Sequence, residues 1–175
     1  MGIGGTFGWE TETMTDTVFG ELEKDDRGWI GKLTIDFGGN PYTVDLWIRS
    51  AEENESIDIP KEAFQRFMEK WPQLQEKLID ALIKYYNEEE RFSYGPDDEE
   101  ESAEWWPEIE TREALLQAVT LEGIVIRSNF IMKGERRIYL LFSRAWGGED
   151  YDDNGIGVRY IDEELDEIAY KDIAF

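Results

Sequence analysis

Gly28-Trp-Ile-Gly-Lys-Leu-Thr-Ile-Asp-Phe37, followed by Gly38-Gly-Asn-Pro41 and then Tyr42-Thr-Val-Asp-Leu-Trp-Ile-Arg49, is the stretch on which the fold turns. Trp29, Gly31, Leu33, Ile35 and Phe37 fall on one face of a period-two pattern, with Lys32, Thr34 and Asp36 on the other. After the turn residues, Tyr42, Val44, Leu46 and Ile48 alternate with Thr43, Asp45, Trp47 and Arg49. Two alternating runs around a Gly-Gly-Asn-Pro turn read as an antiparallel hairpin. With Val18–Lys24 ahead of them, they predict a three-stranded meander with one apolar face that needs a cover.

The cover follows in the chain. Pro60 suits a first helical turn, and Phe64, Phe67, Met68 and Trp71 recur at helical spacing. Pro72 is expected to end that helix and to start a second, whose stripe is Leu74, Leu78, Leu82 and Tyr85. Further on, the pattern predicts a short helix from Thr111 to Val119 and strands around Leu121–Arg127 and Arg137–Ser143. A closing hairpin carries Val158 and Tyr160 on one arm and Ile168 and Tyr170 on the other. The expected class is α+β: an antiparallel sheet, made of the N-terminal meander and the C-terminal strands, with two central helices packed on one face. Residues 1–16 read as an irregular Gly- and Thr-rich extension, and 17–175 as a single domain. Gly2, Gly4, Gly5 and Gly8 are not a phosphate loop, since no strand precedes them and no Gly-Lys-Ser/Thr follows.

Charge sets the functional classes. The 175 residues hold 41 Asp and Glu against 18 Lys and Arg, a formal net charge of −23, while 41% are apolar and 14% aromatic. That apolar supply builds a core, so the acidity belongs to a folded surface. Duplex DNA, RNA and anionic membranes are repelled by such a field, whereas a basic protein is steered toward it. The same charge also serves solubility alone. The acid is clustered: Glu88–Glu110 holds eleven carboxylates and one Arg, and Glu149–Glu167 holds nine and one Arg. The densest part, about 88–104, reads as a solvated loop, because like charges at that density are not buried. Residues 111–147 are locally basic, and are expected to pair with the acidic loops.

Cysteine and histidine are both absent. Disulfides, thiolate metal sites, Ser-His-Asp and Cys-His arrangements are therefore unavailable, and an enzyme is not the expected reading. The alternative of a carboxylate-based hydrolase has no nominated pair among so many acids. Met1 to Trp9 shows neither a basic nor an apolar signal segment, and no run approaches 18 apolar residues, so a cytoplasmic location is expected. No cofactor is implied, with calcium as the one alternative. Asp150, Asp152 and Asn154, followed by Gly155, match positions one, three, five and six of a calcium loop. The match fails at position twelve, which is Ile161 rather than Glu, and an Asp/Asn/Gly hairpin turn accounts for the same residues.

Val18-Phe-Gly-Glu-Leu-Glu23, Gly28-Trp-Ile-Gly31 and Ala81-Leu-Ile-Lys-Tyr-Tyr86 resemble the front half of an uncharacterised bacterial family of domains of unknown function. The back half is similar in Trp146, the acidic turn Glu149–Asn154, Gly155-Ile-Gly-Val158, Asp162-Glu-Glu-Leu165 and Asp172-Ile-Ala-Phe175. Some members are suspected immunity proteins against polymorphic toxins. The resemblance thus implies a toxin-neutralising role, and carries over no catalytic residue. Joined to the charge, it makes the expected function an acidic module that binds a basic protein such as a toxin nuclease. Asp97, Asp98, Glu99, Glu100 and Glu101 would steer the partner, and Trp105, Trp106 and Trp47 are the candidate aromatic anchors. For Trp105 and Trp106 the competing reading is that they pin the acidic loop to the core.

Overall fold

The computed structural model describes residues 11–49, 56–94, 104–127, 134–147 and 155–175. Its centre is the hairpin of β3 (Gly28–Phe37) and β4 (Asn40–Arg49), paired antiparallel along their whole length. Gly38 and Gly39 form the two-residue loop with φ of +62° and +90°. Both values lie in the left-handed region that a hairpin turn of the right twist requires. The tip is fixed from two sides. Gly38 N–H donates to Gln75 Oε1 at 2.9 Å, and the Leu116 side chain packs where a Gly38 side chain would be.

Among the described residues eight strands form one sheet in sequential order. β1 (Thr13–Asp16) and β2 (Gly20–Asp25) precede the central hairpin. β5 (Val119–Ile126), β6 (Arg137–Arg144), β7 (Ile156–Ile161) and β8 (Glu164–Ala169) follow it. Every neighbouring pair is antiparallel except β4 and β5, which run parallel. A parallel pair needs a long crossover. The crossover here carries α1 (Asp58–Tyr85), a π-helical turn (Tyr86–Glu90), α2 (Arg91–Tyr94) and α3 (Arg112–Ala118). The class is therefore α+β, with a mostly antiparallel mixed sheet and α1 and α3 packed on its inner face.

Two local expectations are corrected. Residues 13–16 of the stretch read as irregular form an edge strand, because Asp16 folds the chain back onto β2. Its Oδ2 accepts from Val18 N at 2.7 Å and Phe19 N at 3.0 Å, and its Oδ1 from Lys61 Nζ of α1 at 3.1 Å. Thr13, Met14, Thr15 and Asp16 have no apolar alternation to announce a strand, since the pairing is made by the backbone. The second correction concerns Pro72, which does not divide the helix: α1 runs unbroken for 28 residues. An internal proline costs about 3 kcal/mol. On either side of it, Phe64, Phe67, Trp71, Leu78, Ile79 and Leu82 are buried against the sheet, each contributing roughly 1.5–3 kcal/mol. Trp71 also donates Nε1–H to Asp36 O at 2.6 Å. Packing on both sides of the proline outweighs its local cost.

Pro72 lies on the exposed side of α1, so Pro72→Ala restores the missing hydrogen bond to Met68 without disturbing the core. Allowing for the greater freedom of the unfolded chain, it should stabilise the protein by about 1–2 kcal/mol in urea unfolding. For Asp16, burial raises the carboxyl pKa, but the N–H groups of Phe19 and Val18 and the Lys61 ammonium outweigh it, leaving the pKa below its ordinary value. A depressed folded-state pKa contributes stability that is present above the unfolded value of about 3.9 and is lost as pH falls through the folded one. The stability gap between wild type and Asp16→Asn should accordingly be largest near neutrality and shrink as pH falls below about 4. Parallel urea titrations at pH 7 and pH 3 measure it.

Beneath α1 and α3 lies the main core, with Ile35, Phe37, Val44, Leu46 and Ile48 from the central hairpin and Ile124, Leu140, Phe142 and Val158 from the second half. The outer face has a smaller cluster of Val125, Tyr139, Leu141 and Ala174, with Trp47 and Ile173 packed against it. A closing 3-10 turn (Lys171–Ala174) covers it. No helix among the described residues is long and apolar enough to cross a membrane.

Candidate functional site

The stretch expected to be a solvated loop from about residue 88 begins instead as helix: the end of α1 opens into the π-helical turn, and α2 continues to Tyr94. In the π-helical turn the chain buries a carboxylate, because Tyr85, Trp146 and Arg144 satisfy it. Leu82, Tyr86 and Glu90 are each four residues apart and all inward. On a 3.6-residue helix each such step drifts about 40° around the axis; the wider turn holds the three together. Glu90 is 1% exposed. Tyr85 donates its hydroxyl to Oε1 at 3.0 Å, and Trp146 donates Nε1–H to Oε2. Arg144 places its guanidinium 3.8 Å from Oε2, with both side chains 2% exposed. The Trp146 ring also packs against Tyr86 at a tilt of 47°, centroids 4.4 Å apart.

This buried knot holds the segment Trp105–Ile109 in place. Tyr86 donates its hydroxyl to Pro107 O at 2.6 Å. Burial pushes that phenol up to about 12, with Arg91 opposing and Glu90 adding to the rise, so it remains a neutral donor. Asn87 Nδ2 donates to Ile109 O at 2.6 Å and its Oδ1 accepts from Ile109 N at 3.4 Å. Arg91 Nε donates to Trp106 O at 2.8 Å. Gly147 N–H donates to Trp105 O at 2.8 Å.

These bonds hold both flanks of the first acidic sequence and the leading flank of the second. Asp97, Asp98, Glu99, Glu100 and Glu101 lie outside the described residues, as do Asp150, Asp152 and Asn154. Arg91, shortly before the first acidic stretch, is bonded to Trp106, shortly after it. Gly147, leading into the second stretch, is bonded to Trp105. The residues on either side of the first stretch and the residue leading into the second are thus held together, and Glu88, Glu89, Glu104 and Glu108 nearby in the chain are exposed.

The three candidate tryptophans separate. Trp106 is 4% exposed in the main core and pins the chain, leaving no surface for a partner. Trp105 is 39% exposed. Trp47 lies on the outer face of the sheet, its ring over Gly123 and 5.7 Å from that of Phe175 in an edge-on contact, so it does not join Trp105. Sequence reasoning passed over Phe92, which is 84% exposed. An aromatic residue inside a run of charges was its one available signal. Among the described residues no group of three or more acidic side chains is arranged to hold a metal ion.

A family profile described as Domain of unknown function (DUF6985) matches residues 18–175. The chain belongs to this family. No curated protein and no solved structure matches it. The DUF6985 match includes the Glu90 knot, both acidic stretches and all strands from β2 onward, while β1 precedes it.

Proposed function

We propose that this DUF6985 protein is a protein-binding module that captures a basic partner, and that it acts as an immunity-type protein neutralising a basic toxin. The observation that carries the reading is the exposure of Phe92 and Trp105 where the two acidic stretches are anchored. Affinity in protein interfaces is concentrated in a few large aromatic anchors, while surrounding charge sets the rate of encounter. Here both are present, on a scaffold held by buried hydrogen bonds. A chain with net charge −23 accelerates association with a positive protein, and a nuclease with a positive substrate groove is such a protein.

The test is capture from a lysate of the source organism on the immobilised protein, with elution by a salt gradient and mass spectrometry of the eluate. One basic protein released at moderate salt, whose toxicity is suppressed by co-expression of this chain, is the expected result. A salt-insensitive background, or a captured protein whose toxicity the chain leaves unchanged, would sink the immunity reading.

A further inference from the structure

The two edges of the sheet are built differently. β8 carries Glu164, Asp166 and Glu167, and its register with β7 shifts between Arg159 and Tyr160. Charges and bulges of this kind close a sheet edge to further strands. β1 has no such bulge: Thr13, Met14, Thr15 and Asp16 pair with Glu23, Leu22, Glu21 and Gly20 in unbroken register. Its one charge, Asp16, is turned back to the Lys61 ammonium at 3.1 Å.

A single bond fixes which backbone groups of β1 are open. Lys24 N–H donates to Glu12 O at 2.8 Å. Bonded positions in an antiparallel ladder recur at every second residue, so Met14 and Asp16 bond to β2, while Thr13 and Thr15 aim N–H and C=O at the open edge. Among the described residues no strand pairs with that edge. Leu22 and Met14 pack in the main core, so Thr13 and Thr15 share the outer face with their partners Glu23 and Glu21. Beside β1 the outer face forms a cleft of about 700 Å³, with Thr13, Glu21, Glu23, Ile30 and Trp47 among its lining residues. The cleft's ammonium, Lys32, is held by Asp45 at 2.8 Å. Glu21 and Glu23 are exposed and have no ion pair among the described residues.

We propose that β1 is a docking edge to which a basic partner adds an extended strand, with Lys or Arg side chains on its outer face meeting Glu21 and Glu23. This docking rests on the chain being a binder of a basic partner, as proposed above, and adds where and in what conformation the partner is held. In strand addition main-chain hydrogen bonds supply affinity, and alternate side chains supply specificity. The added strand lies two positions from β2, about 10 Å. Long basic side chains passing over the short Thr13 and Thr15 span that distance to the carboxylates. A second copy of this chain is excluded as occupant, because two chains of net charge −23 repel each other.

The experiment titrates the full chain, by calorimetry, with a capped seven-residue peptide of alternating Lys and Val, and with the same peptide carrying Pro in place of its central Val. The first should bind saturably and at least about fivefold more tightly than the second, whose charge is the same. The double variant Thr13→Pro, Thr15→Pro removes only N–H groups aimed at the open edge, and should weaken binding of the first peptide by at least about fivefold. Should that variant fail to fold, amide hydrogen exchange in wild type decides, and the peptide should slow exchange at Thr13 and Thr15. Equal affinity for the two peptides, or unchanged exchange at Thr13 and Thr15, overturns strand addition while leaving capture by charge standing. A dimer of the free chain that Thr15→Pro dissociates assigns the edge to a second copy and overturns the proposal as well.

Discussion

Glu90→Ala should lower the unfolding free energy by about 3–5 kcal/mol, because removing one member of a buried ion pair leaves the other charge in a dehydrated place. Glu90 is the acceptor for Tyr85 and Trp146 and the carboxylate facing Arg144, so three groups lose a contact in that substitution. Trp146→Phe keeps most of the ring and removes one donor, and should cost about 1–2 kcal/mol. Denaturant unfolding at neutral pH measures both. A loss below about 1 kcal/mol for Glu90→Ala would mean that the knot is not what fixes the Trp105–Ile109 segment. On the proposed function the consequence reaches partner binding, because the same knot holds residues that flank the acidic stretches.

Phe92→Ala combined with Trp105→Ala should weaken binding of the partner by about 2–4 kcal/mol, roughly 30- to 1,000-fold, mainly through faster dissociation. Phe92→Ala alone should change stability little, since Phe92 is 84% exposed, whereas Trp105, 39% exposed, also gives up packing, so binding is compared under conditions where the double variant is fully folded. The two other candidate tryptophans are the controls. Trp106→Ala removes a core side chain and should destabilise the fold by about 3–5 kcal/mol. Trp47→Ala opens the outer face above Gly123 and should leave dissociation of the partner unchanged. Equal binding by wild type and the Phe92/Trp105 double variant would remove the anchors from the account.

The central hairpin was legible because Leu33, Ile35, Phe37, Val44, Leu46 and Ile48 alternate without interruption around a turn that glycine alone satisfies easily. The α1 stripe was legible for the same reason at helical spacing, but its continuity was not. Pro72 is a strong local signal to stop, and only the tertiary contacts of Trp71, Leu78 and Leu82 override it. The parallel pairing of β4 with β5 leaves no mark on either strand, since it is set by the crossover between them. At the candidate site the acid was plain in composition, while the contacts between its flanking residues were not. Arg91 to Trp106 and Gly147 to Trp105 are contacts to backbone carbonyls, which carry no residue signature. For the same reason Trp105, Trp106 and Trp47 look alike in sequence, and three different environments distinguish them. Arg127 and Arg137 were visible in a basic stretch, yet only strand register sets Arg49 beside them.

Binding kinetics of the captured basic protein, compared between wild type and a chain with Asp97, Asp98, Glu99, Glu100 and Glu101 changed to their amides, test the central claim most directly. Association in the variant should be slower, by about tenfold at low salt, with a flatter dependence on ionic strength and little change in dissociation. An association rate and salt dependence identical to wild type would contradict capture by the acidic surface, and the charge would then stand as a property of solubility alone.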